Sequence, residues 1–147
     1  MKGAPAEPSL QVLLTEDNII NQQLLRKQLM KAGCTVFVAN DGVEAFEFVR
    51  EGKSPLDCIL MDIEMPRMSG TECAKEIRRL NIQTPIIAVT ANARSEQVKE
   101  IIACGMDDAV AKPFTTSDLV RRMRELIATK TATCSMIEDN SPLTPIS

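Results

Sequence analysis

The chain has 147 residues, 44% hydrophobic and 25% charged, which is enough apolar surface for one core and argues against a disordered chain or a coiled coil. Lys plus Arg number 17 against 20 for Asp plus Glu, a net charge of −3 with no basic run, so nucleic acid is not expected as a direct partner. Histidine is absent, which removes the usual general base, the commonest transition-metal ligand and any phosphohistidine of the chain's own.

Met1–Ser9 carries two prolines and few large apolar residues and is expected to be a flexible lead. The first apolar run, Val12–Leu14, reads as a buried strand. Asn18 can cap the helix after it, whose spacing runs Asn21, Leu25, Leu29, Ala32 and stops at Gly33. The second run, Val36–Ala39, ends in Asn40-Asp41-Gly42, which reads as a plain turn, and Gly52 with Pro55 closes its helix. The third run is Cys58–Met61, followed by a capping-box pattern at Ser69 and Glu72. The fourth is Ile86–Val89, with a helix that Gly105 closes, and the fifth is Ala109–Ala111. Thr115 and Asp118 start the last helix, which carries Leu119, Met123, Leu126 and Ile127. Thr129–Ser147 is rich in Ser, Thr and Pro and is expected to be a flexible tail, leaving one domain over residues 10–128.

Strands separated by single helices, with no hairpin dipeptide between them, imply parallel pairing through crossovers. The expected fold is therefore α/β, a single (βα)5 doubly wound parallel sheet of five strands. Cys34, Cys58, Cys73, Cys104 and Cys134 are odd in number and widely spaced, with no CxxC pair, so they read as reduced packing residues. Met61, Met65 and Met68 read the same way. No 18-residue apolar run or signal-peptide pattern is present, so the chain is expected to be soluble and cytoplasmic with no direct membrane contact, even if its parent protein is membrane-bound.

Ligands of an open parallel sheet sit beyond the strands' carboxyl ends, and here those ends are polar. Strand one ends in Thr15-Glu16-Asp17-Asn18, strand three in Asp62-Ile63-Glu64, strand four in Thr90-Ala91-Asn92 and strand five in Lys112-Pro113. If strands one and three are neighbours, Glu16, Asp17 and Asp62 crowd negative charge into one cleft. A hard divalent cation, Mg²⁺ or Mn²⁺ in its place, would neutralise it and leave room for phosphate oxygens. Asp62 could then attack a phosphoryl donor, with Thr90 and Lys112 holding the transferred group's equatorial oxygens. An isolated Asp62 would be read as a turn or cap residue; its company reverses that. The bases Arg121, Arg122 and Arg124 read as a solvated helix face, with a docking surface as the alternative.

This pattern resembles the response-regulator receiver family from about Leu10 to Ile127. Five features coincide in order: Glu16-Asp17, Asp62 within Ile59–Gly70, Thr90-Ala91, the turn Gly105-Met106-Asp107-Asp108, and Lys112-Pro113-Phe114. The resemblance implies a flavodoxin-like strand order 2-1-3-4-5, Asp62 as phosphoacceptor, and Thr90 and Lys112 as the phosphoryl clamp. It also implies Asp17, Asp62 and the Glu64 backbone carbonyl as metal ligands, with Glu16 acting through water, and a cis peptide before Pro113. The implied partner is a histidine phosphotransfer protein or a histidine kinase domain that supplies phosphohistidine, and modification is expected to move helix four and strand five. A homodimer through helix four, strand five and helix five is open to such a domain. Glu16-Asp17-Asn18 with Asn21 is most similar to receivers of hybrid histidine kinases. One departure stands out: where receivers commonly carry Tyr or Phe three residues before the lysine, this chain has Ala109.

Two alternatives compete. An aspartyl-phosphate phosphatase wants a second Asp two residues beyond its nucleophile, where this chain has Glu64, and normally carries the nucleophile after strand one. A binding module that is not phosphorylated is the other: the acidic loop after strand one would repel a flavin phosphate, but a domain that only docks a partner is compatible with Ala109.

Overall fold

The computed structural model describes residues 9–65 and 67–140. Five strands alternate with five helices: β1 (Leu10–Thr15), α1 (Ile19–Lys31), β2 (Cys34–Ala39), α2 (Gly42–Glu51), β3 (Cys58–Asp62), α3 (Gly70–Arg79), β4 (Ile86–Thr90), α4 (Ser95–Ala103), β5 (Asp108–Ala111) and α5 (Thr116–Asn140). All four strand pairs are parallel and the order is 2-1-3-4-5, the fold expected from the alternation and the resemblance.

Side chains alternate along a strand, so the central strands feed two cores. Leu13, Ile59, Met61, Ile86 and Ala88 pack against Ala45, Val49, Cys73, Ile77 and Ile101 from α2, α3 and α4. Val12, Leu14, Leu60, Ile87 and Val110 pack against Leu29 of α1 and Leu119 and Met123 of α5. Each fully buried Leu or Ile contributes about 1.5–3 kcal/mol. Apolar side chains thus fix the sheet's middle, and its carboxyl rim is left to polar residues.

The helices start where their caps predict. Asn18 accepts from the Asn21 amide, Ser69 and Glu72 form both halves of a capping box, and Thr115 accepts from the Asp118 amide at 3.1 Å. Gly33, Gly52 and Gly105 follow the first, second and fourth helices at positive φ.

The structure describes part of both expected ends. The tail expected from residue 129 is helical as far as Asn140, because α5 meets neither Gly nor Pro within Thr116–Asn140. Lys130 also donates to the Gln83 carbonyl at 2.7 Å and stands 3.2 Å from Asp107. Ser9, expected in the flexible lead, donates through Oγ to the Gly33 carbonyl at 2.7 Å. The remainder of both expected ends, 1–8 and 141–147, lies outside the described residues.

Cys34, Cys58, Cys73 and Cys104 are buried free thiols, as expected of packing residues; the Cys134 side chain lies outside the described ones. Burial pushes the Cys73 thiol up to about 12. Among the described residues, no helix is long and apolar enough to cross a membrane.

Candidate functional site

The polar residues that end the strands meet at one rim of the sheet. A cleft of about 240 Å³ is lined by Glu16, Asp17, Asp62, Glu64, Thr90 and Lys112. The register explains the meeting: β1 and β3 are direct neighbours, with Thr15 opposite Met61, so Glu16 and Asp17 leave β1 beside Asp62. One carboxylate oxygen from each of Glu16, Asp17 and Asp62 lies within 4.8 Å of the others. Three oxygen donors at that spacing fit a hard cation that keeps part of its water shell. A larger, mostly apolar groove of about 860 Å³ between α1 and α5 shares none of these residues.

Lys112 answers the charge only partly. Its Nζ stands 3.9 Å from both Glu16 Oε1 and Asp62 Oδ1, close enough for charge attraction and too far for a good hydrogen bond. The peptide joining it to Pro113 is cis, as the resemblance implied. Burial, the largest influence, raises the carboxyls of both Glu16 and Asp62 above the ordinary range. Lys112 opposes that rise at Asp62, and the Asn18 amide opposes it at Glu16, without cancelling it. The cleft is therefore short of positive charge.

Thr90 is buried. Asp62 pairs in register with Val89, so Thr90 stands one residue beyond Asp62 along the neighbouring strand. Its hydroxyl is engaged within the loop before α4, donating to the Asn92 carbonyl at 3.2 Å and accepting from the Asn92 amide at 3.0 Å. At the other wall, the first residue of α3 must be glycine: a Cβ on Gly70 would lie 2.3 Å from the Asp62 carbonyl oxygen. That contact seats α3 directly on the backbone of the candidate acceptor. Ile63 and Glu64, in the loop after β3, also line the cleft.

Other expectations resolve simply. Met61 is fully buried, and Met65 and Met68 pack against the same core. Arg121 pairs with Asp118 and Glu125, and Arg122 with Asp108 and Asp118, so these two arginines of α5 are held in ion pairs. Ala109 is half-buried in β5 opposite Ala88, and no aromatic side chain occupies its place.

Sequence reasoning missed Gln22, Asn40, Asp41 and Arg67. Gln22 is buried and donates through Nε2 to the Glu16 carbonyl and to Asn40 Oδ1, each at 2.7 Å. Its signal was present: it precedes Leu25 and Leu29 by three and seven residues, a polar residue on the apolar stripe of α1. The Asp41–Arg67 pair left no such trace, because 26 residues separate the partners.

Comparison with known proteins agrees with this geometry. Residues 12–124 match the family model of the response regulator receiver domain. The transcription factor SKN7 of Candida albicans is 43% identical over 112 residues, 76% of this chain and 20% of that protein. Hybrid signal transduction histidine kinase I of Dictyostelium discoideum is 39% identical over 136 residues, 88% of this chain and 8% of that protein. The chain thus spans a small part of these relatives. Among solved structures, the receiver domain of a Pseudomonas aeruginosa PAO1 sensor histidine kinase, with a magnesium ion coordinated in its active site cleft, is similar at TM-score 0.74 and 34% identity. The likeness covers 82% of this chain and 98% of that one. A co-crystal structure of the Saccharomyces cerevisiae histidine phosphotransfer protein Ypd1 with the receiver domain of its response regulator Ssk1 is similar at TM-score 0.75 and 30% identity, covering 84% and 92%.

Proposed function

We propose, starting from a chain that belongs to the response regulator receiver domain family and so to two-component signalling, that it accepts a phosphoryl group on Asp62 and converts it into a change of shape. The observation that carries the proposal is the convergence of Glu16, Asp17, Asp62, Thr90 and Lys112 on one small cleft with unanswered negative charge.

Glu16, Asp17, Asp62 and the Glu64 backbone carbonyl would hold a Mg²⁺ ion, consistent with the donor set. When bound, that ion supplies positive charge that screens the carboxylates from an incoming phosphoryl group. Asp62 attacks phosphorus in line: a carboxylate O–P bond forms while the donor's N–P bond breaks, and the electron pair leaves on the imidazole nitrogen. Lys112, half-exposed and unanchored by a short bond, is placed to follow an equatorial oxygen. Thr90 contributes its hydroxyl by releasing the Asn92 carbonyl and donating to the phosphoryl group instead. That exchange frees the loop before α4, which gives the expected movement of α4 and β5 a starting point. The domain is in this reading a signalling module that promotes its own modification, not a turnover enzyme.

With no histidine in the chain, the donor is a phosphohistidine on a phosphotransfer protein or kinase domain. Ile19, Ile20 and Leu24 on α1 are exposed beside the cleft and offer that partner an apolar footing. The receiver solved with Ypd1 supports a partner of this class.

Incubation with Mg²⁺ and acetyl phosphate tests the proposal. One phosphoryl addition, mapped to Asp62 and dependent on metal, is expected; no addition, with Asp62→Asn behaving like the wild type, would overturn it. Ala109 favours one second reading, a module that docks its partner without a phosphorylation signal. Partner affinity that is the same with and without beryllofluoride would establish that alternative.

A further inference from the structure

The turn after β2, plain by sequence, touches both walls of the acidic cleft. Asn40 accepts a 2.7 Å hydrogen bond from Gln22 Nε2, whose second proton goes to the Glu16 carbonyl. Asn40 is itself held from the opposite side, its amide and Nδ2 both donating to Glu44 Oε1 at 2.9 Å. The next residue, Asp41, is buried and uses both oxygens: Oδ1 accepts from the Glu44 amide at 2.9 Å, and Oδ2 accepts from Arg67 Nε at 2.7 Å with Arg67 Nη2 at 2.6 Å. Arg67 belongs to the loop after β3, where it holds a left-handed φ of 67°. Gly42 then brings the start of α2 against that loop, since a Cβ there would lie 2.4 Å from the Met68 carbonyl oxygen.

We infer that Asn40 and Asp41, with Gln22 and Arg67, form a brace that sets the distance between the two metal-holding loops. One arm fixes the backbone that presents Glu16 and Asp17. The other fixes the loop that presents Glu64, two residues beyond Asp62. A left-handed arginine is costly unless its surroundings hold it there, and the charged contact of Nε and Nη2 with one oxygen of a buried carboxylate supplies that hold. Three mutually repelling carboxylates push the loops apart in the absence of a cation, so the brace works against that spread and keeps the donors spaced for an ion. None of the four residues touches the cleft's centre. They are positioning residues, and the inference rests on the metal-dependent reading above.

The test uses Mn²⁺ binding, read by electron paramagnetic resonance of the free ion, in the full chain. Asp41→Asn keeps a side chain that caps α2 while removing the charge that holds Arg67; Gln22→Met keeps volume while removing the amide. Each is expected to weaken Mn²⁺ binding about tenfold, the lower end of what outer-shell partners contribute to metal affinity. Phosphorylation by acetyl phosphate should require correspondingly more Mg²⁺ to reach half its maximum rate, with the rate at saturating Mg²⁺ unchanged. Arg67→Ala should reproduce Asp41→Asn, and Arg67→Lys should recover part of the loss.

Wild-type Mn²⁺ affinity in Asp41→Asn and Arg67→Ala, with or without a fall in melting temperature, would overturn the brace. So would a loss of saturating rate with unchanged metal affinity. If Gln22→Met does not fold, the other arm still decides. Failure of the underlying reading looks different, because the wild type itself would then bind no Mn²⁺.

Discussion

The two ends of the sheet both carry clusters of charge, yet they are built to opposite standards. At the amino end, Arg78 donates to the carbonyls of Gly105, Ile82 and Thr84 and to Asp107 Oδ2, all between 2.8 and 2.9 Å. Asp107 in turn accepts from the Ile86 amide and faces Lys130. Nε, Nη1 and Nη2 of Arg78 and the Lys130 ammonium all find acceptors there. At the carboxyl end, three carboxylates share one lysine that stays 3.9 Å from the nearest two. The saturated cluster binds α3, β4, β5 and α5 together. The unsaturated one is held in place by the fold and remains open to a ligand. Charge alone therefore does not mark function; an excess of one sign, at distances too long to be bonded, does.

The largest expected effect separates the ends by function: Asp62→Asn should abolish phosphorylation completely in an acetyl phosphate assay. The same change removes one of three crowded charges and should stabilise the metal-free fold by about 1 kcal/mol in urea denaturation. Arg78→Ala should do the reverse, costing about 3 kcal/mol of stability because it orphans three carbonyls and half of an ion pair. Below its lowered melting temperature, that variant should still accept a phosphoryl group at Asp62. A loss of acceptance in the intact fold would break the division of labour between the two ends.

Smaller effects sharpen it. Mg²⁺ at ten times its dissociation constant should stabilise the wild type by about 1.4 kcal/mol, measured by the shift in the urea midpoint. Asp17→Asn should lose most of that gain. The smallest effect concerns acid. Burial alone would raise the Asp41 carboxyl, but the Glu44 amide and the Arg67 guanidinium together hold it below the usual value. A lowered carboxyl contributes stability above its unfolded value, about 3.9, and loses it as the pH falls through the folded value. Wild type should therefore lose more stability than Asp41→Asn as the pH falls from about 5 to 2, as urea titrations at successive pH values would read. An equal loss in both would remove Asp41 from the acid response.

Much of the architecture was legible along the chain because its causes are local. Asn18, Ser69 with Glu72, and Thr115 start helices by bonds that reach three residues, and apolar runs such as Ile86–Val89 announce buried strands without knowledge of their neighbours. The rule that ligands lie beyond strand ends then named Glu16, Asp17, Asp62, Thr90 and Lys112 as a group. The length of α5 escaped because polar Ser and Thr suggested a tail, while the absence of Gly and Pro and the Lys130 anchor favoured continued helix.

What the amino acids determined by themselves was which groups lie at the rim and what chemistry they offer, since side-chain type and strand order in the chain are both written there. Only the tertiary structure decided how those groups are held. Gln22 reaches Asn40 and Asp41 reaches Arg67 across 18 and 26 residues, Gly70 presses on the Asp62 backbone, and the Thr90 hydroxyl bonds to Asn92. Such contacts depend on which loops the sheet order brings side by side, and a linear pattern of residue types carries no distance between loops.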